Sequence, residues 1–222
     1  MFYEKKERSD DMKNEFLSKV FRWFGVGLLV TFLVAYFVST NLTLLTFIFT
    51  GATYWIIFIA EMVLAIWLTT RIRAMSSGLT KVLYIGYSAL TGLTFSSIFI
   101  VYELESIIWI FLASAIIFII FSLLGKNTKI DMSKFGIYLM VALFGIIILE
   151  LINIFLVNQT LNMTLCIISI LVFVGYVAYD IQKILRHYDD TDNMAIVGAF
   201  DLYLDFINIF LRLLQLFGKE RD

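Results

Sequence analysis

Residues 194–217, MAIVGAFDLYLDFINIFLRLLQLF, decide the fold. A helix rising about 1.5 Å per residue needs ~20 predominantly apolar residues to cross ~30 Å of hydrocarbon, and this run is long enough. It is also patterned. At about 100° per residue, Gly198, Asp201, Asp205, Asn208, Arg212 and Gln215 fall within an arc of about 100°, while Phe206, Ile207, Ile209, Phe210, Leu213 and Leu214 fill the rest. Such a stripe cannot face lipid, so the helix is expected to be central, with its polar face turned to a cavity or to partner helices. The competing reading is an amphipathic helix lying on the membrane surface. Arg212 is the only basic residue on the stripe, whereas surface helices carry Lys and Arg there.

Six more stretches of membrane length precede it: Val20 to Ser39, Ala52 to Thr70, Val82 to Tyr102, Ile107 to Leu124, Gly136 to Val157 and Met163 to Lys183. The composition agrees. Of 222 residues, 61% are hydrophobic and 16% charged, against roughly 45–50% and about 25% in ordinary soluble chains. The runs are continuous rather than alternating over ~10 residues, which argues against a transmembrane β-barrel. The breaks are short and polar, unlike domain linkers. The expected architecture is therefore an all-α polytopic membrane protein of seven transmembrane helices: a charged tail at residues 1–19, a single transmembrane domain at 20–217 and a short tail at 218–222. The opening MFYEKKERSDDMKNEFLSK is too charged for the apolar centre of a cleavable signal, and the first span is expected to be retained.

Several chemistries are excluded. A net charge of −1 gives no support for a nucleic-acid partner, which needs clustered Lys and Arg. Cys166 stands alone and His187 stands alone, so the chain has neither an internal disulfide framework nor a Cys-rich zinc site or zincin pair. Basic residues fall in the N-terminal tail and in alternate loops, at Arg71, Arg73, Lys81, Lys126, Lys129, Lys134, Lys183 and Arg186. By the positive-inside rule the N-terminus is expected in the cytoplasm. Seven full crossings then put Lys219 and Arg221 outside, against the rule. A re-entrant last helix would avoid this, but the length of 194–217 favours a crossing.

Acidic residues at bilayer depth cost ~2.5–3.5 kcal/mol each on insertion scales unless paired or hydrated. They are Glu61, Glu150, Asp180, Asp201 and Asp205. Glu61 and Glu150 each read equally well as hydrogen-bonded structural residues or as part of an ion path, the polar stripe residues Asp201 and Asn208 belonging to the same path. Asp180, in VAYDIQKI, sits near the cytoplasmic end of the sixth span, where an interfacial residue in water is the plain reading. The short connection to the next helix favours side-by-side packing, so Asp180 would face Asp201 or Asp205. Two poorly hydrated carboxylates resist double ionisation, share a proton and titrate as a coupled pair. The same pair is a candidate site for a hard cation such as Ca²⁺. Arg71 and Arg73 read as headgroup anchors, with a salt bridge from Arg71 to Asp180 as the alternative. Gly92 with Ser88, Ser96 and Ser97 reads as a close helix-packing face.

The tracts SALTGLTFSSIFIVYELESI, YVAYDIQKI and DLYLDFINIFLRLLQLFG resemble the Bax inhibitor family of membrane proteins, in its bacterial, seven-helix form. The resemblance covers most of the chain, and the last tract is its most specific part. It implies a seventh helix surrounded by six others and a calcium leak gated by a pH-sensing pair of aspartates, which match Asp180 and Asp205 here. It also implies an arginine latch at the end of the second helix, at Arg71 or Arg73, and an acidic residue resembling Glu61. Asp201 precedes the core motif.

The leading expectation is thus a pH-sensitive calcium leak channel of a bacterial plasma (inner) membrane, with Ca²⁺ and protons as its ions and no resident cofactor. A proton-coupled cation exchanger is the nearest alternative, since the same pair would serve it. A non-conducting regulator acting through membrane-protein partners is the third. Enzymatic activity is not expected. The YD and second-aspartate arrangement resembles intramembrane aspartyl proteases, but Gly198-Ala199-Phe200-Asp201 lacks their GxGD glycine and the chain has no proline for their Pro-Ala-Leu motif.

Overall fold

The structure is a computed structural model that describes residues 2–71, 74–186 and 191–221, with side chains from Asp11 onward. Among the described residues the helices are α1 (Phe2–Ser39), α2 (Leu42–Phe49), α3 (Thr53–Arg71), α4 (Ser77–Phe95), α5 (Ile98–Val101), α6 (Leu104–Asn127), α7 (Gly136–Leu156), α8 (Gln159–Arg186) and α9 (Asp192–Phe217), with a 3₁₀ turn at Met132–Phe135 ahead of α7. Seven segments are long and apolar enough to cross a membrane: Asp11–Ser39, Thr53–Arg71, Ser77–Val101, Leu104–Asn127, Met132–Leu156, Gln159–Arg186 and Asp192–Phe217. The chain is a polytopic all-α membrane protein, as the sequence predicts.

Three local features add detail to the expected spans. The charged N-terminal segment is helical and continues into the first span, α1 running unbroken from Phe2, with Phe16 and Leu17 buried. The loop after α1 folds into α2, started by Asn41, whose side chain accepts the backbone N–H of Leu44 at 3.1 Å; an asparagine there satisfies one of the orphan donors of a helix start. The third span is not one helix. It breaks at Ser96 and Ser97, whose hydroxyls donate back to the carbonyls of Leu93 and Thr94, a local bond that competes with the helix ladder.

The chain divides into two compact units. The first comprises residues 1–103, 188–203 and 221–222. Within it α1 and α4 pack closely: a Cβ on Gly92 would stand 2.7 Å from Val34 Cβ and 2.8 Å from the Thr31 carbonyl oxygen, so only glycine permits the approach. This is the packing face expected of the SALTG tract. Thr31 anchors the contact. Its Oγ1 lies 2.9 Å from the Ser88 carbonyl and 2.6 Å from the Tyr203 hydroxyl. Thr31 has one hydroxyl proton, so with that proton on a carbonyl, Tyr203 is the donor to Thr31. Tyr84, Tyr87, Phe200 and Tyr203 form a cluster of edge-to-face rings with centroids 5.0–6.4 Å apart, the geometry aromatic quadrupoles prefer.

The second unit comprises residues 104–187 and 204–220. Here α8 packs against α6 and α7. A Cβ on Gly125 would meet the Ala178 backbone, at 2.6 Å from its oxygen and 2.7 Å from its Cα. Phe206 of α9 sits between Phe111 and Phe118 of α6, with centroids 5.3 and 5.7 Å away. At one end of this unit Arg186 pairs with Asp131 at 2.7 Å. Hydrogen bonds from the Ser133 hydroxyl and backbone N–H, followed by the Arg186 charge, hold the Asp131 carboxyl below the usual range.

α9 is the most buried of the seven spans, with 67% of its most apolar stretch buried against 6% for α3. It is buried on its apolar side as well, at Phe206, Ile209 and Leu214. The large apolar residues of α3 and α7, such as Trp55, Ile59, Val63, Phe144 and Leu151, are instead exposed; a surface this apolar requires lipid rather than water.

Candidate functional site

The second unit brings Asp180 and Asp205 into one compact body. Asp180 lies on the buried face of α8 with Val177, Ala178, Ile181 and Ile184; the spacing of three and four residues makes that face continuous. It is 6% exposed, and Asp205 of α9 is 5% exposed. Tyr176, four residues before Asp180, lies on the same side of α8. Lys183 Nζ donates to Asp180 Oδ1 at 3.1 Å and stands 6.0 Å from the Tyr179 ring centroid. One negative charge of the site is therefore balanced by a lysine on the same helix.

Lys183 and Tyr176 are absent from the residues the sequence reading selects. Both were signalled by spacing, since they lie at i+3 and i−4 from Asp180 and must share its face. Asp180 thus has a cation from its own helix. Arg71 is exposed at the C-terminal end of α3, and Arg73 lies outside the described residues. Asp201, the other candidate partner on α9, is half-buried and belongs to the first unit.

The remaining candidates separate by what their polar atoms touch. Glu61 is half-buried and accepts hydrogen bonds from Thr91 Oγ1 at 2.7 Å and Thr94 Oγ1 at 3.3 Å. The two donors lie three residues apart on one face of α4. Replacing Thr91 by valine removes the shorter donor and is expected to destabilise the protein by about 1–3 kcal/mol, with Thr94→Val costing less; unfolding curves of the two variants in detergent check this order. Asn208 turns its amide back on its own helix, donating to the Leu204 carbonyl at 2.7 Å. Glu150 of α7 pairs with Arg212 of α9 at 2.5 Å. Sequence reading marks both residues as polar at membrane depth but does not join them.

Among the described residues no group of three or more His, Cys, Asp or Glu side chains is placed to hold a metal ion. Asp180 and Asp205 by themselves supply only part of the about six to eight oxygens that Ca²⁺ takes.

Comparison with known proteins places the chain in a family. A family model described as inhibitor of apoptosis-promoting Bax1 matches residues 13–222. The chain is 42% identical over 215 residues to the inner membrane protein YbhL of Escherichia coli K12, covering 93% of this chain and 92% of the relative. It is 38% identical over 219 residues to a protein of Borreliella burgdorferi, covering 95% and 94%, and 33% identical over 226 residues to a membrane protein of Streptococcus pyogenes serotype M1, covering 96% of each. With a family match over residues 13–222 and a relative 42% identical across 93% of the chain, the chain belongs to the Bax inhibitor family.

Proposed function

We propose that the protein is a pH-responsive leak pathway for Ca²⁺, gated by Asp180 and Asp205. The observation that carries this reading is the burial of two carboxylates from successive spans in one compact unit. Family membership supports it, since the resemblance assigns these two positions the sensor role.

The chemistry follows from charge. Two ionised carboxylates in a water-poor site repel each other, and the Lys183 ammonium offsets one of them. Tyr176 and Tyr179 lie within four residues of Asp180 on α8. Adding a proton removes a negative charge, relieves the repulsion and shifts the balance between helix packings. Ca²⁺ is the cargo here. A site with two carboxylates and few further charged ligands suits passage rather than retention. Basic residues gather at the Lys183 end of the second unit, at Lys126, Lys129, Lys134 and Arg186. By the positive-inside rule that end faces the cytoplasm, in a plasma membrane like that of the Escherichia coli relative.

The test is Ca²⁺ flux into vesicles reconstituted with the purified protein, stepped through pH. The wild type is expected to change its flux with pH, and Asp205→Asn to flatten that response. Flux and pH response both unchanged in Asp205→Asn would refute the sensor.

A further inference from the structure

At the end of the second unit remote from Lys183, a cavity of about 620 Å³ opens between the C-terminal part of α7, the start of α8 and α9. The Glu150–Arg212 pair forms its charged floor. Arg212 Nη1 also donates to Gln215 Oε1 at 3.2 Å, and Gln215 Nε2 donates to Asn162 Oδ1 at 3.1 Å. One wall is apolar: Ile147, Leu151 and Ile154 follow one another on a single face of α7 and are 43%, 56% and 67% exposed. In a membrane-spanning helix, side chains that open face hydrocarbon.

This site has an unusual combination of demands. Its floor offers a cation and an anion side by side, and its wall offers a path for acyl chains. Val157 lines the cavity in a left-handed conformation with φ of 50°. Among the described residues it is the only non-glycine with positive φ, and a β-branched residue held so is strained.

We infer that this cavity binds a zwitterionic glycerophospholipid whose headgroup carries a phosphate and a primary ammonium. The phosphate takes guanidinium donors of Arg212, which has five N–H groups in a fixed fork. The ammonium donates to Glu150, and the acyl chains lie along Ile147, Leu151 and Ile154. Each charge of the resident ion pair is exchanged for an opposite charge of the ligand, so the floor stays neutral when occupied. A phosphocholine headgroup has no N–H to give Glu150. A phosphoglycerol headgroup has no cation at all and leaves the Glu150 carboxylate facing a phosphate. By the positive-inside rule the bound lipid belongs to the leaflet away from the cytoplasm.

The experiment is native mass spectrometry of the full chain in detergent, titrated separately with dioleoyl phosphatidylethanolamine, phosphatidylcholine and phosphatidylglycerol. The first is expected to bind at least about tenfold more tightly than the other two, the ratio that one charge-assisted hydrogen bond supplies. Glu150→Gln keeps the shape of the site and is expected to erase that preference, with Arg212→Gln weakening all three lipids. Free phosphoethanolamine, which has the headgroup without chains, is expected to compete only weakly. Equal binding of the three lipids by the wild type overturns the proposal without recourse to any variant. So does a preference that survives Glu150→Gln, and competition by phosphoethanolamine at lipid concentrations would make the site one for a soluble zwitterion instead.

Discussion

Replacing Gly125 by valine is expected to loosen the second unit by at least about 1–3 kcal/mol, the range for forcing extra carbons into a packed interior. The reason is what the new side chain would meet. A Cβ at Gly125 would stand 2.6 Å from the Ala178 oxygen and 2.7 Å from the Ala178 Cα. Both are backbone atoms of α8, so no rotamer change relieves the overlap and the helices must separate. Ala178 is two residues before Asp180, so the separation reaches the carboxylate site directly. The variant is therefore expected to lose thermal stability and to alter Ca²⁺ flux together. Gly145 of α7 is the control, since a Cβ there meets nothing within 4 Å. Gly145→Ala is expected to change stability by less than ~1 kcal/mol, and in the favourable direction if helix propensity decides. Detergent-solubilised protein followed by thermal unfolding separates the two. Equal melting behaviour for both variants would mean that the α6–α8 contact is not a close one.

The span pattern was legible because it rests on length and composition, which local sequence carries completely. Each predicted run is helical, the third as α4 and α5 in succession and the others as single helices. The break at Ser96 and Ser97 was not legible, because the apolar run continues through it to Val101 and a serine hydroxyl gives no sign in advance of whether it will cap its own helix. α2 was half visible in Asn41 followed by LTLLTFIF, too short to cross and so easily passed over as loop. The aspartates were found through the cost of charge at depth. Their surroundings divide by distance along the chain: Lys183 and Tyr176 follow from helical spacing around Asp180, while the Glu150–Arg212 pair joins residues 62 positions apart and requires a register that only the packed unit supplies. The polar stripe of α9 is legible from helical spacing, and it runs from the buried Asp205 to the exposed Gln215. Several of its members turn to separate partners: Arg212 to Glu150, Asn208 to its own helix, Gln215 to Asn162.

Removing Arg212 alone is expected to destabilise the protein by about 2–3 kcal/mol, while removing it together with Glu150 is expected to be nearly neutral. Breaking a buried ion pair from one side typically costs ~3–5 kcal/mol, because the surviving charge keeps its desolvation penalty and loses its partner. Here the side chains remain 20% and 31% exposed, which lowers the figure. In Arg212→Leu the Glu150 carboxylate is left against Ile147, Leu151 and Ile154, whose surroundings cannot solvate it. In Glu150→Leu/Arg212→Leu no charge remains to be stranded, and leucine suits a face that meets hydrocarbon. The double-mutant cycle isolates the coupling, read from unfolding in lipid-free detergent so that bound lipid does not add its own stabilisation. Additive single-variant losses would show that the pair contributes through its separate neighbours rather than through the contact. Glu150→Gln divides the two roles of this floor. Its amide oxygen can still accept from Arg212, so most stability is expected to remain, yet it cannot hold an ammonium as a carboxylate does. A variant that folds normally and has lost lipid preference is therefore the outcome that separates recognition by charge from packing of the helices.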